Sequence, residues 1–122
     1  MARLLLIDDN ADFRTVFERK FAELGHQVLT AGDGVRGLQV VMNSPVDLVL
    51  LDLNMPHRGG LETLRLIRSL TIQSRVMIIT ALLDDAARIE AQQLGVKDFL
   101  LKPVSVKNLV AAVEAALERP RP

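Results

Sequence analysis

The sequence contains no cysteine, tryptophan or tyrosine, and only four phenylalanines occur among its 122 residues. Without cysteine, disulfides, thiolate catalysis and cysteine-based zinc sites are excluded. Fifteen basic and fifteen acidic residues leave the chain with no net charge. No overall field therefore attracts it to nucleic acid or to an anionic membrane. The composition predicts neither direct nucleic-acid binding nor membrane association.

Long hydrophobic runs are missing as well. The apolar runs are far shorter than the roughly 18 residues that span a bilayer. Near the start, only the run Leu4 to Ile7 precedes Asp8, which is too short for the hydrophobic part of a signal peptide. We therefore expect a cytoplasmic protein.

The length and composition fit one packed domain, since single domains commonly have about 100 to 150 residues. The chain is 49% hydrophobic and 25% charged and has no long biased segment, which argues against disorder. We expect one domain over residues 1–118. Residues 119–122, with two prolines, cannot continue a helix and are expected to be a tail or the stub of a linker.

Apolar runs alternate with helix-like patterns along the whole chain. The runs predict strands near residues 3–7, 26–30, 46–51, 75–79 and 97–101. Each run is short and almost wholly apolar, as in strands that are buried on both faces of a parallel sheet. Alternation of this kind predicts an α/β protein with a doubly wound sheet, and the strand order 2-1-3-4-5 is one of its few permitted forms.

Five helices are predicted between and after these strands. They cover about residues 10–24, 35–42, 61–70, 84–95 and 105–118. Gly25 and Gly95 are predicted to end the first and fourth helices, and Ser105 to cap the fifth. The first helix has an apolar stripe at helical spacing. Its members are Phe13, Val16, Phe17, Phe21 and Leu24.

Four of the predicted strands end in polar residues of different kinds. Asp8 and Asp9 follow the first strand, Asp52 the third, Thr80 the fourth and Lys102 the fifth. In an open parallel sheet, ligands bind outside the carboxyl ends of the strands, at the switch point between strands one and three. We expect these side chains to share one crevice.

Such a set of side chains suits phosphoryl chemistry. Neighbouring carboxylates repel unless a cation lies among them, and oxygen ligands from Asp9, Asp52 and a carbonyl suit Mg²⁺. Lys102 would neutralise a phosphoryl oxygen, and Thr80 would donate a hydrogen bond. Carboxylates are established phosphoryl acceptors, and Asp52 ends the predicted central strand before a turn-rich loop. Asp52 is therefore the candidate acceptor.

An ordered series of motifs extends over about residues 3–118. Its members are Asp8-Asp9, Asp52-Leu53-Asn54-Met55-Pro56, Gly60, Thr80-Ala81, Phe99 and Lys102-Pro103. In this series the chain resembles the receiver domain of bacterial two-component response regulators, which belongs to a chemotaxis-regulator-like superfamily. The resemblance implies a flavodoxin-like, doubly wound (βα)5 fold with a cis peptide bond between Lys102 and Pro103.

The resemblance also implies roles at the site. Asp52 would accept a phosphoryl group from a phosphohistidine of a sensor histidine kinase or a phosphotransfer protein. Asp9, Asp52 and the backbone carbonyl of Asn54 would hold Mg²⁺, with Asp8 contributing through water. The domain would assist its own phosphorylation, as a switch rather than a metabolic enzyme.

A switch is implied by two further positions. Thr80 would move to bond the phosphoryl group, and the ring of Phe99 would fill the space it leaves. The surface formed by the fourth helix, fifth strand and fifth helix would then change for a downstream effector or output domain, in a monomer or a weak dimer. Asn54 and Leu82 stand where the family tunes loss of the phosphoryl group, and apolar Leu82 predicts slow loss.

Two other functions remain open at this point. A small aspartate-nucleophile, Mg²⁺-dependent phosphohydrolase shares most of these groups, although it usually has a second acid where this chain has Asn54. A pseudo-receiver would bind partners without phosphorylation, although every acid and the lysine are present. His26 and His57 have no partner at metal-ligand spacing and are expected to be surface or loop residues.

Overall fold

The computed structural model describes residues 1–55, 59–70 and 74–120. In this part of the chain, strands and helices alternate from beginning to end. The strands are β1 Arg3–Ile7, β2 Gln27–Ala31, β3 Leu48–Leu51, β4 Arg75–Thr80 and β5 Asp98–Leu101. The helices are α1 Ala11–Glu23, α2 Gly34–Asn43, α3 Gly60–Ser69, α4 Asp85–Gln93 and α5 Val106–Glu118.

The five strands form one sheet in the order β2-β1-β3-β4-β5. All four neighbouring pairs are parallel, which confirms the predicted doubly wound α/β fold. In a parallel sheet every strand points its carboxyl end toward the same edge. The residues that follow the strands are therefore gathered at that edge.

The sheet is covered on both faces, because successive side chains of a strand point to opposite sides. On one face Leu5, Val49 and Ile78 pack with residues of α2, α3 and α4. On the other face Leu50 and Met77 pack with residues of α1 and α5. This two-sided burial explains why the strands are almost continuous apolar runs.

The turn after α1 explains one error in the predicted boundaries. Gly25 has φ +92°, and its N–H donates to Ala22 O at 3.0 Å while the N–H of His26 donates to Phe21 O at 3.1 Å. These two bonds form a Schellman motif, which closes the helix. His26 therefore belongs to the helix end, and β2 begins one residue later than predicted, at Gln27.

Two more strands also begin later than predicted, β3 at Leu48 and β5 at Asp98. Before β3, the side chain of Asp47 accepts a hydrogen bond from the backbone N–H of Arg3 at 2.8 Å. Asp47 therefore forms a bend that a side chain stabilises rather than part of the strand. Thr80, predicted to follow the fourth strand, is the last residue of β4.

The predicted stripe of α1 is correct for its phenylalanines only. Phe17 and Phe21 are fully buried, with ring centroids 4.5 Å apart, and Phe13 packs against the same part of the core. Val16 and Leu24 are instead nearly half exposed, so the prediction that they join the buried stripe is wrong. Val16 is displaced by about 100° from Phe17 around the helix, and Leu24 is the C-cap residue.

His26 lies just before β2 and outside the helices and strands, which agrees with the loop part of its prediction as a surface or loop residue, but its side chain is not at the surface. Nδ1 accepts a hydrogen bond from the backbone N–H of Ala2 at 3.1 Å, and Nε2 lies 2.8 Å from Glu114 Oε1. The side chain is only 7% exposed, so His26 joins the start of the chain to α5. His57 lies outside the described residues.

The close approach of Gly60 to the end of β3 determines where α3 begins. A Cβ at this position would lie 2.2 Å from the carbonyl oxygen of Asp52 and 2.5 Å from Leu53 Cα. Both are backbone atoms, which cannot move aside as a flexible side chain would. Only glycine lets the helix start so near the segment that carries Asp52.

We therefore expect Gly60→Ala to lower the free energy of unfolding by about 1–3 kcal/mol, because the added methyl group forces a backbone shift. Gly59→Ala is the matched control, since a Cβ there would meet nothing within 4 Å. Because Gly59 is the N-cap of α3, where alanine is less favourable than glycine, its loss should be up to about 1 kcal/mol and smaller than that of Gly60→Ala. Urea unfolding of both variants measures the difference. Equal losses would contradict this account of Gly60.

Candidate functional site

Three carboxylates meet at the carboxyl edge of the sheet. Asp8 and Asp9 follow β1 and Asp52 follows β3, and one oxygen from each lies within 4.8 Å of the others. Asp8 and Asp52 are buried, whereas Asp9 is exposed. The predicted gathering of these three acids is confirmed.

Lys102 supplies the positive charge beside them. Its Nζ lies 2.5 Å from Asp8 Oδ2 and 3.3 Å from Asp52 Oδ2, and the side chain is 20% exposed. The ammonium also lies 4.6 Å from the centre of the Phe13 ring, within the range of a cation–π contact. The peptide bond between Lys102 and Pro103 is cis, as the sequence resemblance implied.

Burial and charge act on Asp8 and Lys102 in different ways. Burial raises the pKa of Asp8, and the hydrogen bonds from Lys102 and from the backbone N–H of Asn10 offset this only in part. Burial alone would lower the pKa of Lys102, but its hydrogen bond to Asp8 and the charges of Asp8 and Asp52 raise it. Lys102 is thus held in its charged form, while Asp8 is ionised at a cost in free energy.

Both oxygens of Asp52 accept hydrogen bonds from fixed donors. Oδ1 accepts from the backbone N–H of Asn54 at 2.9 Å and from the hydroxyl of Thr80 at 3.0 Å. Oδ2 faces Lys102 at 3.3 Å. Thr80 itself is fully buried. The hydroxyl, the ammonium and the carboxylate predicted from three different strand ends are therefore in direct contact.

The side chain of Asn54 makes contacts that the sequence reasoning missed. Its Nδ2 lies 2.5 Å from Thr80 Oγ1 and 2.9 Å from the carbonyl oxygen of Leu82. The sequence had indicated only a backbone ligand and a tuning position at Asn54. Leu82, the other predicted tuning residue, has its side chain directed to solvent and is 74% exposed.

Phe99 lies in β5, where it pairs with Ile78 of β4. It is half-buried and packs against the core on the side of α2, α3 and α4. Leu101, two residues further along β5, pairs with Thr80. Phe99 is thus near Thr80 along the sheet.

Arg14 is a second residue that the sequence reasoning missed. Its Nη1 donates to the backbone carbonyl of Asp8 at 2.7 Å, and the same guanidinium lies beside Gly32 in the β2–α2 loop. One signal in the sequence could have indicated this role. Arg14 is a basic residue four positions after the N-cap Asn10, in a helix that directly follows an acid pair. Arg14 supports the backbone of the segment that carries the acids.

Comparison with known proteins gives the family. The family model described as the response regulator receiver domain matches residues 4–114. The chain belongs to this family. The match covers β1 through most of α5 and includes every strand end that carries the site.

Curated relatives of this receiver domain include regulators of transcription. It is 34% identical over 119 residues to the transcriptional regulatory protein CpxR of Escherichia coli K12, covering 98% of this chain and 50% of that protein. It is 33% identical over 120 residues to the response regulator MprA of a Mycobacterium species, covering 98% and 52%. The chain thus spans about half the length of these relatives. Neither relative supports the phosphohydrolase alternative.

Solved structures agree in fold. A response regulator receiver domain protein from Clostridium thermocellum is 30% identical, with a TM-score of 0.86 and coverage of 98% of this chain and 96% of that one. A CheY-like receiver domain protein from Methanospirillum hungatei has a TM-score of 0.92 at 21% identity, with coverage of 97% and 94%.

Of the helices in the described residues, none has the length and apolar character needed to span a bilayer.

Ionisation of the buried Asp8 carboxyl lowers the stability of the folded state. Because the raised pKa of Asp8 means that the folded state disfavours its charge, Asp8→Asn should raise the melting temperature in Mg²⁺-free buffer by roughly 2–6 °C. Asp12→Asn, which removes an exposed acid from the first turn of α1, should give no such rise. Differential scanning calorimetry makes the measurement. A lower melting temperature for Asp8→Asn would contradict this reading of the site.

Proposed function

We propose that residues 1–118 form a phosphorylation-driven switch in which Asp52 is the phosphoryl acceptor. The observation that carries this proposal is the contact of Asp52 with Lys102 and Thr80 beside two further carboxylates, in a chain of the receiver family. A carboxylate that receives a phosphoryl group needs a neighbouring positive charge and a hydrogen-bond donor for the new oxygens. Lys102 and Thr80 are those groups.

Magnesium is the proposed cofactor, and the chemistry of the donor set fits it. The proposed ligands are all oxygen atoms, and Mg²⁺ prefers one or two carboxylates together with water and phosphate. Asp9, Asp52 and the backbone carbonyl of Asn54 would hold the ion, with Asp8 acting through water. When bound, Mg²⁺ would neutralise charge on the transferring phosphoryl group.

The phosphoryl donor is proposed to be a phosphohistidine of a sensor histidine kinase or a phosphotransfer protein. A carboxylate oxygen of Asp52 forms a bond to phosphorus while the phosphorus–nitrogen bond of the donor breaks, and the electron pair of that bond returns to the imidazole. Such transfer depends on alignment and charge neutralisation more than on additional covalent chemistry. The fixed donors to Asp52 and the ammonium of Lys102 supply both.

The output of the switch is proposed to pass through α4, β5 and α5. Thr80 would bond the phosphoryl group, and Phe99 would change position beside it. Exposed apolar side chains on this surface, among them Ile89 and Leu101, would be available to an effector, an output domain or a second copy. Added charge at Asp52 biases such a two-state element.

Phosphorylation by a small donor tests the acceptor. We expect the intact mass to rise by about 80 Da, for one phosphoryl group, after incubation with acetyl phosphate and Mg²⁺, and not with EDTA present. Asp52→Asn should show no adduct, because an amide oxygen is a poor nucleophile and cannot bind Mg²⁺ as a carboxylate does.

Asp85→Asn is the matched control for this experiment. Asp85 is an exposed acid of α4, so its replacement should leave the adduct unchanged. An adduct of undiminished size in Asp52→Asn would disprove Asp52 as the acceptor. Rapid release of phosphate from many donors with no adduct would instead favour a phosphohydrolase.

The lifetime of the adduct tests the role of Leu82. Its exposed apolar side chain offers no hydrogen bond to orient an attacking water, so slow loss is expected. Leu82→Glu should shorten the lifetime by about 2- to 10-fold, the effect of one additional hydrogen bond in the transition state. Phosphate release from the purified phosphoprotein measures it.

Ile89→Glu adds the same charge at an exposed position of α4 and is the control for general electrostatic effects. Its lifetime should equal that of the unaltered chain. If both glutamate variants change the lifetime equally, or if neither does, Leu82 has no special role in dephosphorylation.

A further inference from the structure

The carboxamide of Asn54 joins the loop after β3 to the loop after β4. Its Nδ2 contacts Thr80 Oγ1 at 2.5 Å and the carbonyl oxygen of Leu82 at 2.9 Å, while its backbone N–H donates to Asp52 Oδ1. One residue thus contacts the proposed acceptor, the proposed switch residue and the following loop.

The carbonyl of Leu82 settles which end of the amide faces Thr80. A carbonyl oxygen only accepts hydrogen bonds, so the amide atom 2.9 Å away must be the nitrogen, which has two hydrogens to donate. The reverse orientation would bring two carbonyl oxygens together. With the nitrogen in place, one hydrogen serves Leu82 and the other serves the hydroxyl of Thr80.

Thr80 Oγ1 accepts a hydrogen bond from Asn54, so the hydroxyl proton of Thr80 must point toward another acceptor. A hydroxyl has one hydrogen to donate, and two acceptors lie near Oγ1. Asp52 Oδ1 lies at 3.0 Å and Leu82 O at 3.4 Å. The carboxylate is nearer and charged, and charged acceptors form the stronger bonds. Leu82 O already accepts from Asn54, so the hydroxyl donates to Asp52.

We infer that Asn54 is a positioning residue that holds the Thr80 hydroxyl toward Asp52 before any phosphoryl group arrives. This inference rests on the proposed function and extends it. A donor aimed in advance at developing negative charge costs no reorganisation during the reaction.

The contact also tethers the β4–α4 loop. Leu82 is held through its backbone carbonyl, so the restraint does not depend on its side chain. The loop leads directly to the N-cap Asp84 of α4. Release of the Asn54 contact would therefore free the hydroxyl of Thr80 and remove one restraint on the loop before the helix whose surface is proposed to signal.

The rotamer of Thr80 in the unphosphorylated, Mg²⁺-free protein tests the inference directly. Three-bond couplings of the Thr80 methyl carbon to backbone nitrogen and carbonyl carbon report its χ1 angle. We expect one dominant rotamer in the unaltered chain and a mixture in Asn54→Ala. Leu82→Ala is the control and should keep the single rotamer, because the carbonyl that Asn54 contacts remains. An unchanged Thr80 rotamer in Asn54→Ala would overturn the inference.

A double-mutant cycle on the rate of phosphorylation by acetyl phosphate provides the second test. Asn54→Ala should slow the reaction by about 2- to 5-fold, a modest effect because Asn54 is exposed and its bond is uncharged. In the Thr80→Val background the same substitution should have almost no further effect, since the hydroxyl it positions is gone. Equal slowing in both backgrounds would overturn the inference.

The two arms separate failure of this inference from failure of the proposed function. If the unaltered chain forms no adduct at Asp52, the proposed function fails, and the rotamer measurement still decides the role of Asn54. If the adduct forms but Asn54→Ala leaves the Thr80 rotamer unchanged, only the inference fails. Circular dichroism and thermal unfolding of each variant establish that the fold is intact.

Discussion

Compensation of buried negative charge by Lys102 is the interaction on which the site depends. Asp8 and Asp52 are buried, and Asp9 lies close enough to add its own repulsion. Lys102 follows β5, at the far edge of the sheet, yet its Nζ contacts both buried acids. A cation in contact with both acids keeps the carboxylates together where solvent is largely excluded. Without it, the carboxyl edge of the sheet would be an unfavourable place for three acids.

A second layer of contacts connects this charge cluster to the rest of the molecule. The hydroxyl of Thr80 lies between Asp52 and the carboxamide of Asn54, and Asn54 in turn contacts the loop that leads to α4. On the other side of the cluster, Arg14 supports the backbone of Asp8. The acids are therefore restrained by elements from across the sheet rather than by one loop.

Residues at strand ends were the most predictable part of the site. Asp52, Thr80 and Lys102 each follow or end an apolar run, and the parallel arrangement alone brings such residues to one edge. The amide of Asn54 was not predictable in the same way, because its contacts depend on the relative position of two loops. The pairing of His26 with Glu114 likewise joins residues 88 positions apart, and neither residue has a local pattern that indicates the other.

The sequence by itself determined the order of elements, the apolar faces that bury the sheet and the chemical kinds of the side chains at its edge. Those properties follow from local periodicity and from the parallel pairing rule. Tertiary structure alone decided which donors reach which oxygens. Asp52 Oδ1 accepts a hydrogen bond from Thr80 and Oδ2 from Lys102. The side chain of Asn54 contacts the carbonyl oxygen of Leu82. Whether a hydrogen bond forms depends on differences of a few tenths of an ångström in the donor–acceptor distance. Only the packed arrangement of all five strands and helices sets distances to that precision.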